Sequence, residues 1–336
     1  MKNLSFLAAS LLVTALLAAC DEKAGSQVAA ACLNTSVSAM AIPAGTFTMG
    51  AAGRYQEEGP PVEKTVKGFD IDAHEVTNAQ FRAFVEDTGY VTVAERVPDP
   101  ADYPAIPVDK LVAGSAVFVP PTDRSQGFNP LSWWRFVPGA NWRHPQGPES
   151  DIKGKDHLPV VHVAYEDALA YAAWAGRALP TEAQWEYAAR GGLEGKAYAW
   201  GDKRAPDGKM MANSWQGIFP VQNTEEDGFR GVAPVGCFPP NGYGLYDMIG
   251  NVWEWTRSPY RPTHVSPARV TEEGYDPRQP GVPVRTIKGG SFLCASNYCM
   301  RYRPAARHAQ ETGLGTDHIG FRTVSRPASG TTPDKL

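Results

Sequence analysis

Glycine and proline interrupt this chain more often than long helices or a regular sheet would tolerate. The sequence contains 33 glycines and 29 prolines among 336 residues, and both residue types mark turns and break regular elements. Hydrophobic residues still make up 43% of the chain, which is enough to bury a sizeable core. The composition therefore predicts an irregular α+β fold, with low regular secondary structure and long ordered loops.

The N-terminus is typical of an export signal. Residues 4–19 are apolar, a run that is long enough for the core of a signal peptide and short for a membrane span. The run ends in Leu17-Ala-Ala-Cys20, which resembles the lipobox of bacterial lipoproteins. We therefore expect residues 1–19 to be a signal peptide and Cys20 to be lipidated, holding the protein on a bacterial membrane at the periplasmic face. The alternative is an ordinary signal peptide with Cys20 as an incidental thiol.

The rest of the chain is predicted to be one domain. Residues 20–39 are small and polar without amphipathic periodicity, which is typical of a flexible tether. No internal repeat or second boundary interrupts residues 40–327, and residues 328–336 form a short tail. The net charge is −4, the pI is about 6.0, and Lys and Arg are scattered. We therefore expect no nucleic-acid partner. We also expect the protein to be a monomer.

Three short helices are predicted. Two begin with capping boxes, at Thr77-Asn-Ala-Gln80 and at Thr181-Glu-Ala-Gln184. The remaining helix is expected over residues 166–175. Its predicted packing face consists of small and apolar residues: Leu169, Ala172, Ala173 and Gly176. These elements form the scaffold and carry no chemistry themselves.

Five cysteines limit the possible bridges. They are Cys20, Cys32, Cys237, Cys294 and Cys299. Pairing is the default in an oxidising compartment, and if Cys20 carries lipid, the other four permit three pairings. One pairing joins the two cysteines of the segment "SFLCASNYCMRYR". From the residues alone, this pair is either a structural disulfide or a working pair of thiols.

Four segments in order resemble the formylglycine-generating enzyme family, also called the sulfatase-modifying factor family. They are "IPAGTFTMG", "LPTEAQWEYAARGG", "PPNGYGLYDMIGNVWEWT" and "KGGSFLCASNYCMRYRPAAR". The resemblance runs from about Ile42 to Val324 and implies a low-regularity relative of the C-type lectin fold. The first three segments occur across the wider superfamily. The fourth is typical of the catalytic branch, in which Gly-Gly-Ser precedes a Cys-x4-Cys.

The resemblance implies oxidation of a substrate cysteine to Cα-formylglycine, with O2 and copper(I). The substrate would be an unfolded sulfatase carrying a Cys-x-Pro-x-Arg segment. Cys294 and Cys299 would hold the copper, since thiolates are the soft ligands that copper(I) prefers. Trp253, Ser291 and Tyr298 would surround the oxygen and the substrate sulfur. For each of these three residues a structural role, in the core, in a turn or in a hydrogen bond, remains an alternative.

The resemblance also implies two structural calcium sites. The ligands of the first are Asn213, the carbonyl of Ser214, Asp227 and the carbonyl of Phe229. The ligands of the second are Asp247, the carbonyls of Gly250 and Val252, and Glu254. Such all-oxygen sets suit a hard cation, whereas the plainer alternative is turn capping by Asn and Asp. The second site is favoured because two acidic residues bracket a Gly-Asn turn.

Two other functions compete with the oxidase. Iron-dependent sulfoxide synthases of the wider superfamily need a His-rich metal-binding domain ahead of this one, and the seven histidines here do not form its motif. An exported binding or maturation module that acts on another substrate would account for the membrane tether. Such a module has no chemical reason to carry the cysteine pair. We therefore expect a copper-dependent formylglycine-generating oxidase.

Overall fold

The computed structural model describes Cys32 and residues 39–326, apart from residues 102, 122–128, 130–131 and 267–272. Within these residues, three α-helices and fourteen short strands are joined by long loops. The predicted α+β fold with low regularity is confirmed. The longest helix has 11 residues and the longest strand has seven, so loops rather than regular elements shape the surface.

The helices and strands follow one another in mixed order. The helices are α1 (Asn78–Thr88), α2 (Tyr165–Trp174) and α3 (Glu182–Arg190). The first seven strands are β1 (Ala39–Ile42), β2 (Gly45–Met49), β3 (Val62–Val66), β4 (Phe69–Asp72), β5 (Gly114–Phe118), β6 (Trp134–Pro138) and β7 (Arg177–Ala178). The others are β8 (Gly217–Ile218), β9 (Gln222–Asn223), β10 (Trp253–Pro259), β11 (Val284–Lys288), β12 (Arg307–Glu311), β13 (Ile319–Gly320) and β14 (Val324–Ser325).

Two four-stranded sheets bring together strands that are distant in sequence. One has the order β1-β4-β14-β7, so that β1, the first strand, and β14, the last strand, both pair with β4. The other has the order β12-β11-β10-β13, in which β10 and β13 run parallel and the other pairs are antiparallel. The hairpins β2-β3, β5-β6 and β8-β9 complete the described pairings. The second sheet positions the cysteine segment, which directly follows β11.

The two predicted capping boxes are confirmed. The Thr77 hydroxyl accepts the backbone N–H of Gln80 at 3.3 Å, and the side chain of Gln80 accepts the backbone N–H of Thr77 at 2.8 Å. Thr181 and Gln184 make the same reciprocal bonds at the start of α3. These bonds satisfy N–H groups that a helix start would otherwise leave unpaired.

The predicted packing face of α2 is wrong by about one residue. The structure buries Tyr171 and Ala172, and the ring of Tyr171 lies 6.0 Å from that of Phe81 and 5.7 Å from that of Phe84 on α1. The predicted positions that are exposed are Leu169, Ala173 and Gly176. Burying a tyrosine ring removes more apolar area from water than burying a row of small side chains, and this sets the rotation of the helix.

The N-terminal segment is covalently joined to the domain. Cys32 forms a disulfide with Cys237, 205 positions further along the chain. This assigns the pairing that the sequence left open. None of the described helices is long and apolar enough to cross a membrane. Cys20 lies outside the described residues, so its lipidation and the proposed boundaries of the tether stay predictions.

Removing the disulfide is expected to destabilise the domain by about 2–5 kcal/mol, because the bridge restricts a long loop of the unfolded chain. The free energy of unfolding of Cys32→Ser/Cys237→Ser, measured with urea, should fall by that amount relative to the unchanged protein. Reducing agent should lower the stability of the unchanged protein and leave that of the double variant unaltered. Equal stability of the two proteins would contradict the prediction.

Candidate active site

A pair of glycines directs the chain from β11 into the cysteine segment. Gly289 and Gly290 have φ values of +96° and +76°, in the region where a side chain is strained. A Cβ on Gly290 would also lie 2.7 Å from the backbone nitrogen of Tyr302. Glycine at these positions therefore lets the turn that begins at Ser291 pack directly against the segment that returns after the second cysteine.

The two cysteines of this segment are free thiols. Their sulfur atoms are 3.3 Å apart without a disulfide bond. Cys294 is buried, and Cys299 is partly exposed. The backbone N–H of Ser291 donates to the Sγ of Cys294 at 3.4 Å. Of the two readings that the sequence allowed, this geometry favours a working pair of thiols with one sulfur near solvent.

The surroundings shift the pKa values of the two thiols in opposite directions. The hydrogen bond with Cys294 and the nearby guanidinium of Arg301 lower the pKa of Cys299 to about 7. Arg301 donates to the Cys299 sulfur at 3.8 Å, pairs with Glu57 and lies over the ring of Tyr55 at 3.9 Å. Burial raises the pKa of Cys294. The pair therefore holds one thiolate and one proton near neutral pH.

Alkylation should distinguish the two thiols. We expect iodoacetamide to modify Cys299 with a rate that rises around pH 7, while buried Cys294 reacts slowly. In Arg301→Gln this midpoint should move to higher pH, because the guanidinium no longer stabilises the thiolate. Peptide mapping of the alkylated protein locates the label. The matched control is Arg278→Gln, which should leave the midpoint unchanged, and an equal midpoint in Arg301→Gln would contradict the prediction.

The three other predicted catalytic residues differ in where the structure places them. Ser291 is fully buried and its Oγ accepts the backbone N–H of Leu293 at 3.3 Å, so its own O–H is available to donate. Trp253, at the start of β10, is buried in the same apolar cluster as Cys294. Tyr298 is 40% exposed, next to Cys299 in sequence. The structure therefore places Ser291 beside Cys294 and Tyr298 on the exposed side of the pair, whereas Trp253 lies in the core with its ring 6.1 Å from that of His308.

Aromatic residues that the sequence did not single out form the wall beside Tyr298. The ring of Phe219 stacks on that of Tyr298 with centroids 4.7 Å apart and an angle of 1° between the planes. Trp133 meets the Tyr298 ring edge-on at 5.9 Å. Trp133 belongs to a tryptophan-rich stretch, residues 128–150, whose sequence does not indicate contact with the cysteine segment. Phe219 carried no signal in the sequence.

The first predicted calcium site is largely closed by internal hydrogen bonds. The side chain of Gln216 donates to the carbonyl of Ser214 and, at 2.6 Å, to Asp227. Asp227 also accepts the backbone N–H groups of Ser214 at 2.9 Å and of Phe229 at 3.0 Å. The Nδ2 of Asn213 donates to the Gly231 carbonyl at 2.8 Å. The carbonyl oxygen of Ser214 and both carboxylate oxygens of Asp227 therefore already accept hydrogen bonds, and calcium binding here stays a prediction.

The second predicted site contains excess buried negative charge. Asp247 and Glu254 are buried, and the structure adds a third buried carboxylate, Glu75, that sequence reasoning missed. Arg322 donates to both oxygens of Glu254, at 2.7 and 2.8 Å. Among the described residues, Oε2 of Glu75 accepts no hydrogen bond. One guanidinium thus faces three carboxylates, which is unfavourable unless further positive charge is present.

The pKa values of the carboxylates in this cluster reflect the same excess of negative charge. Burial, together with the charges of Asp247 and Glu254, raises the pKa of Glu75. Burial also raises the pKa of Asp247 to about 6. No three Asp, Glu, His or Cys side chains in the described ranges converge closely enough to hold a metal ion by themselves. A cation here would therefore need backbone carbonyls as well, and Gly250 and Val252 lie on the same turn, between Asp247 and Glu254.

The fold and site together define an irregular α+β protein with a pair of free thiols, one of them buried and the other partly exposed. A family model described as a sulfatase-modifying factor enzyme 1-like domain matches residues 25–327. The chain therefore belongs to the sulfatase-modifying factor family, and its fold is that of formylglycine-generating enzymes.

Individual relatives cover nearly the same residues. The formylglycine-generating enzyme of Mycobacterium tuberculosis is 50% identical over 298 residues, which cover 86% of this chain and 98% of the relative. The inactive C-alpha-formylglycine-generating enzyme 2 of Mus musculus is 41% identical over 291 residues, 84% of each chain. The solved structure of PvdO from Pseudomonas aeruginosa has a TM-score of 0.57 and 25% identity, and covers 85% of this chain and 93% of its own.

Proposed function

We propose that this protein is a copper-dependent oxidase that converts a cysteine in a sulfatase Cys-x-Pro-x-Arg segment to Cα-formylglycine with O2. The similarity to formylglycine-generating enzymes supports this activity, but identity alone does not distinguish an active from an inactive protein, because relatives of both names are similar to this chain. The observation that carries the proposal is the pair of free thiols 3.3 Å apart. A protein that only binds has no need for an exposed thiolate beside a buried thiol.

The thiol pair fits the proposed metal. Two sulfur ligands from Cys294 and Cys299 suit copper(I), and the partly exposed side of Cys299 leaves room for a third sulfur from the substrate. When bound, copper(I) supplies the one-electron chemistry that lets O2 react at a thiolate. The overall change is balanced when cysteine, O2, two electrons and two protons give the aldehyde, hydrogen sulfide and water. An external thiol that becomes a disulfide provides those electrons and protons.

The residues of this chain prepare the site for that chemistry. Arg301 stabilises the thiolate of Cys299, so that only the proton of Cys294 must leave before both sulfurs are negative. Trp253 excludes water from the buried side of the pair. The hydroxyl of Ser291 donates to charge that develops on oxygen or sulfur. Tyr298, with its ring half in solvent, guides the substrate backbone to the sulfur of Cys299.

Calcium is proposed as the structural cofactor, above all at the second site. The support is the buried carboxylate excess of Glu75, Asp247 and Glu254, which a divalent cation would neutralise. At the first site, Asn213 and Asp227 would have to exchange hydrogen bonds for metal bonds. Calcium thereby stabilises a loop-rich domain in which few regular elements meet.

The proposed partners are an unfolded sulfatase chain and a membrane. Lipid on Cys20 would hold the enzyme at the outer side of the cytoplasmic membrane, where it meets its substrate after export. The disulfide of Cys32 agrees with an oxidising location. We propose that the enzyme works there as a monomer. A non-sulfatase relative that matures or binds another substrate is the alternative, and the same membrane tether would suit it.

A conversion assay tests the proposal. The protein from Cys32 onward is loaded with copper(I), mixed in air and a thiol reductant with a Cys-x-Pro-x-Arg peptide, and followed by mass spectrometry. We expect the peptide cysteine to become an aldehyde, and a peptide with serine in its place to stay unchanged. Copper binding without conversion would favour the alternative substrate. Absence of copper binding would overturn the oxidase.

A further inference from the structure

A loop from the first part of the domain lies against the chain that follows the second cysteine. This 50–59 loop joins β2 to β3, and the backbone N–H of Ala51 donates to the carbonyl of Glu58 at 2.9 Å across its base. Tyr55, Glu57 and Glu58 of the loop each bond to a residue between 300 and 303. The contact of Tyr55 spans 245 positions of sequence.

The peptide group that follows Cys299 is held from two sides. Its carbonyl, on Cys299, accepts the backbone N–H of Arg301 at 2.8 Å. Its N–H, on Met300, donates to the hydroxyl oxygen of Tyr55 at 3.1 Å. The group cannot rotate without breaking one of these bonds. Because it begins at the Cα that carries the Cys299 side chain, its orientation limits where the sulfur can lie.

The guanidinium beside the sulfur is held by the same tyrosine. Arg301 donates to the Cys299 sulfur at 3.8 Å and lies 3.9 Å from the centroid of the Tyr55 ring. It also pairs with Glu57, and the two side chains of this pair are 15% and 16% exposed. A cation–π contact is stronger when water is largely excluded. Tyr55 therefore contacts both the main chain next to the sulfur and the charged group that donates to it.

A second ion pair fixes the loop independently of Tyr55. Arg303 pairs with Glu58, which is fully buried, and its Nε donates to the carbonyl of Met300 at 2.9 Å. A buried pair of this kind is costly to separate. The 50–59 loop should therefore keep its place when the side chain of Tyr55 is changed.

We propose that Tyr55 is a positioning residue of the thiol pair, which holds the sulfur of Cys299 beside that of Cys294 through the peptide group after Cys299 and the guanidinium of Arg301. Cys299 lies on the exposed side of the pair, so its side chain would otherwise have to be ordered when a ligand binds both sulfurs. Tyr55 acts through these groups and is not itself a metal ligand. The link to copper(I) rests on the proposed function, whereas the geometry of the thiol pair does not.

Two probes measure the geometry of the pair without turnover. Copper(I), in competition with a chelator, reports the affinity for the proposed metal. Phenylarsine oxide binds two neighbouring thiols, with loss of one water, and reports the same geometry without copper. In the protein from Cys32 onward with its disulfide closed, Cys294 and Cys299 are the two remaining thiols.

Variants of the tyrosine should weaken both probes in steps. In Tyr55→Leu, which removes the ring and the hydroxyl, we expect both affinities to fall about tenfold. In Tyr55→Phe, which keeps a ring against Arg301, we expect a fall of about threefold. The matched control is Tyr275→Leu, at a position that is 44% exposed, and it should leave both affinities unchanged.

A double-mutant cycle separates positioning from a general loss of structure. Arg301→Gln removes the guanidinium and leaves the N–H of Met300 in place. In that background, Tyr55→Leu and Tyr55→Phe should weaken the probes equally, by about threefold, because only the hydrogen bond remains to be lost. A difference between the two variants that persists in Arg301→Gln overturns the proposal, as does unchanged affinity in Tyr55→Leu.

The remaining outcomes also decide between the proposals. Urea unfolding checks each variant, and if Tyr55→Leu is unfolded, Tyr55→Phe decides: a threefold loss supports the positioning role and no loss overturns it. If the unchanged protein binds phenylarsine oxide but not copper(I), the proposed oxidase fails, and the arsenical still tests Tyr55. If the unchanged protein binds neither probe, the thiol pair and the role of Tyr55 are both overturned.

Discussion

Cys294→Ser and Cys299→Ser are each expected to lower copper(I) affinity and peptide conversion by about a thousandfold or more, because a hydroxyl is a poor ligand for a soft metal. Serine at position 294 can still accept the N–H of Ser291 that the thiol accepts now, so the fold should persist. The two sulfurs act as one unit. The double variant should therefore be no less active than either single variant.

Controls separate loss of the pair from general loss of thiols. Cys32→Ser/Cys237→Ser also removes two sulfur atoms, and it should keep copper binding and conversion at a temperature where it remains folded. Copper(I) competition with a chelator and single-turnover mass spectrometry measure the two effects independently. If the activity loss of the double variant were the product of the two single losses, a two-sulfur site would be contradicted. Conversion that persists in either single variant would also contradict it.

Local signals in the sequence predicted local structure well. The capping boxes at Thr77 and Thr181 determine where two helices begin, because both partners of each box lie within one turn. The proximity of the two cysteines could also be predicted from the sequence, because Gly290, Cys294 and Cys299 lie in one short stretch whose turn brings the sulfurs together. Features of this kind need no knowledge of the remaining fold.

Features that depend on distant contacts could not be predicted in the same way. The rotation of α2 follows from Tyr171 packing on α1, a contact across about ninety residues of sequence. Glu75 lies near Asp247 because the loop after β4 meets the loop before β10, where the N–H of Tyr246 donates to the carbonyl of Ala73 at 2.8 Å. Phe219 stacks on Tyr298 although the two residues are far apart in the sequence. The spacing of residues in the sequence does not indicate contacts between distant segments. The burial and the charge environment of these residues are therefore known only from the structure.

Calcium is expected to stabilise the protein by about 3 kcal/mol at a concentration a hundred times its dissociation constant. Without calcium, Asp247 has a pKa of about 6 in the folded protein and an ordinary value of 3.8. An acid whose pKa is raised by folding binds its proton more tightly in the folded state. The calcium-free protein should therefore gain stability as the pH falls from about 6 towards 4, and calcium should reduce that gain.

Asp247→Asn should reduce the dependence of stability on calcium, since it removes one of three mutually repelling carboxylates, and asparagine fits the positive φ of that position. We expect the variant to be more stable than the unchanged protein in chelator and to gain at most half as much from calcium, because fewer charged ligands remain. Urea unfolding with chelator and with calcium measures both quantities. Asp109→Asn, at an exposed position, should behave as the unchanged protein. A variant that is less stable in chelator would mean that Arg322 alone balances the cluster, and that this loop needs no cation.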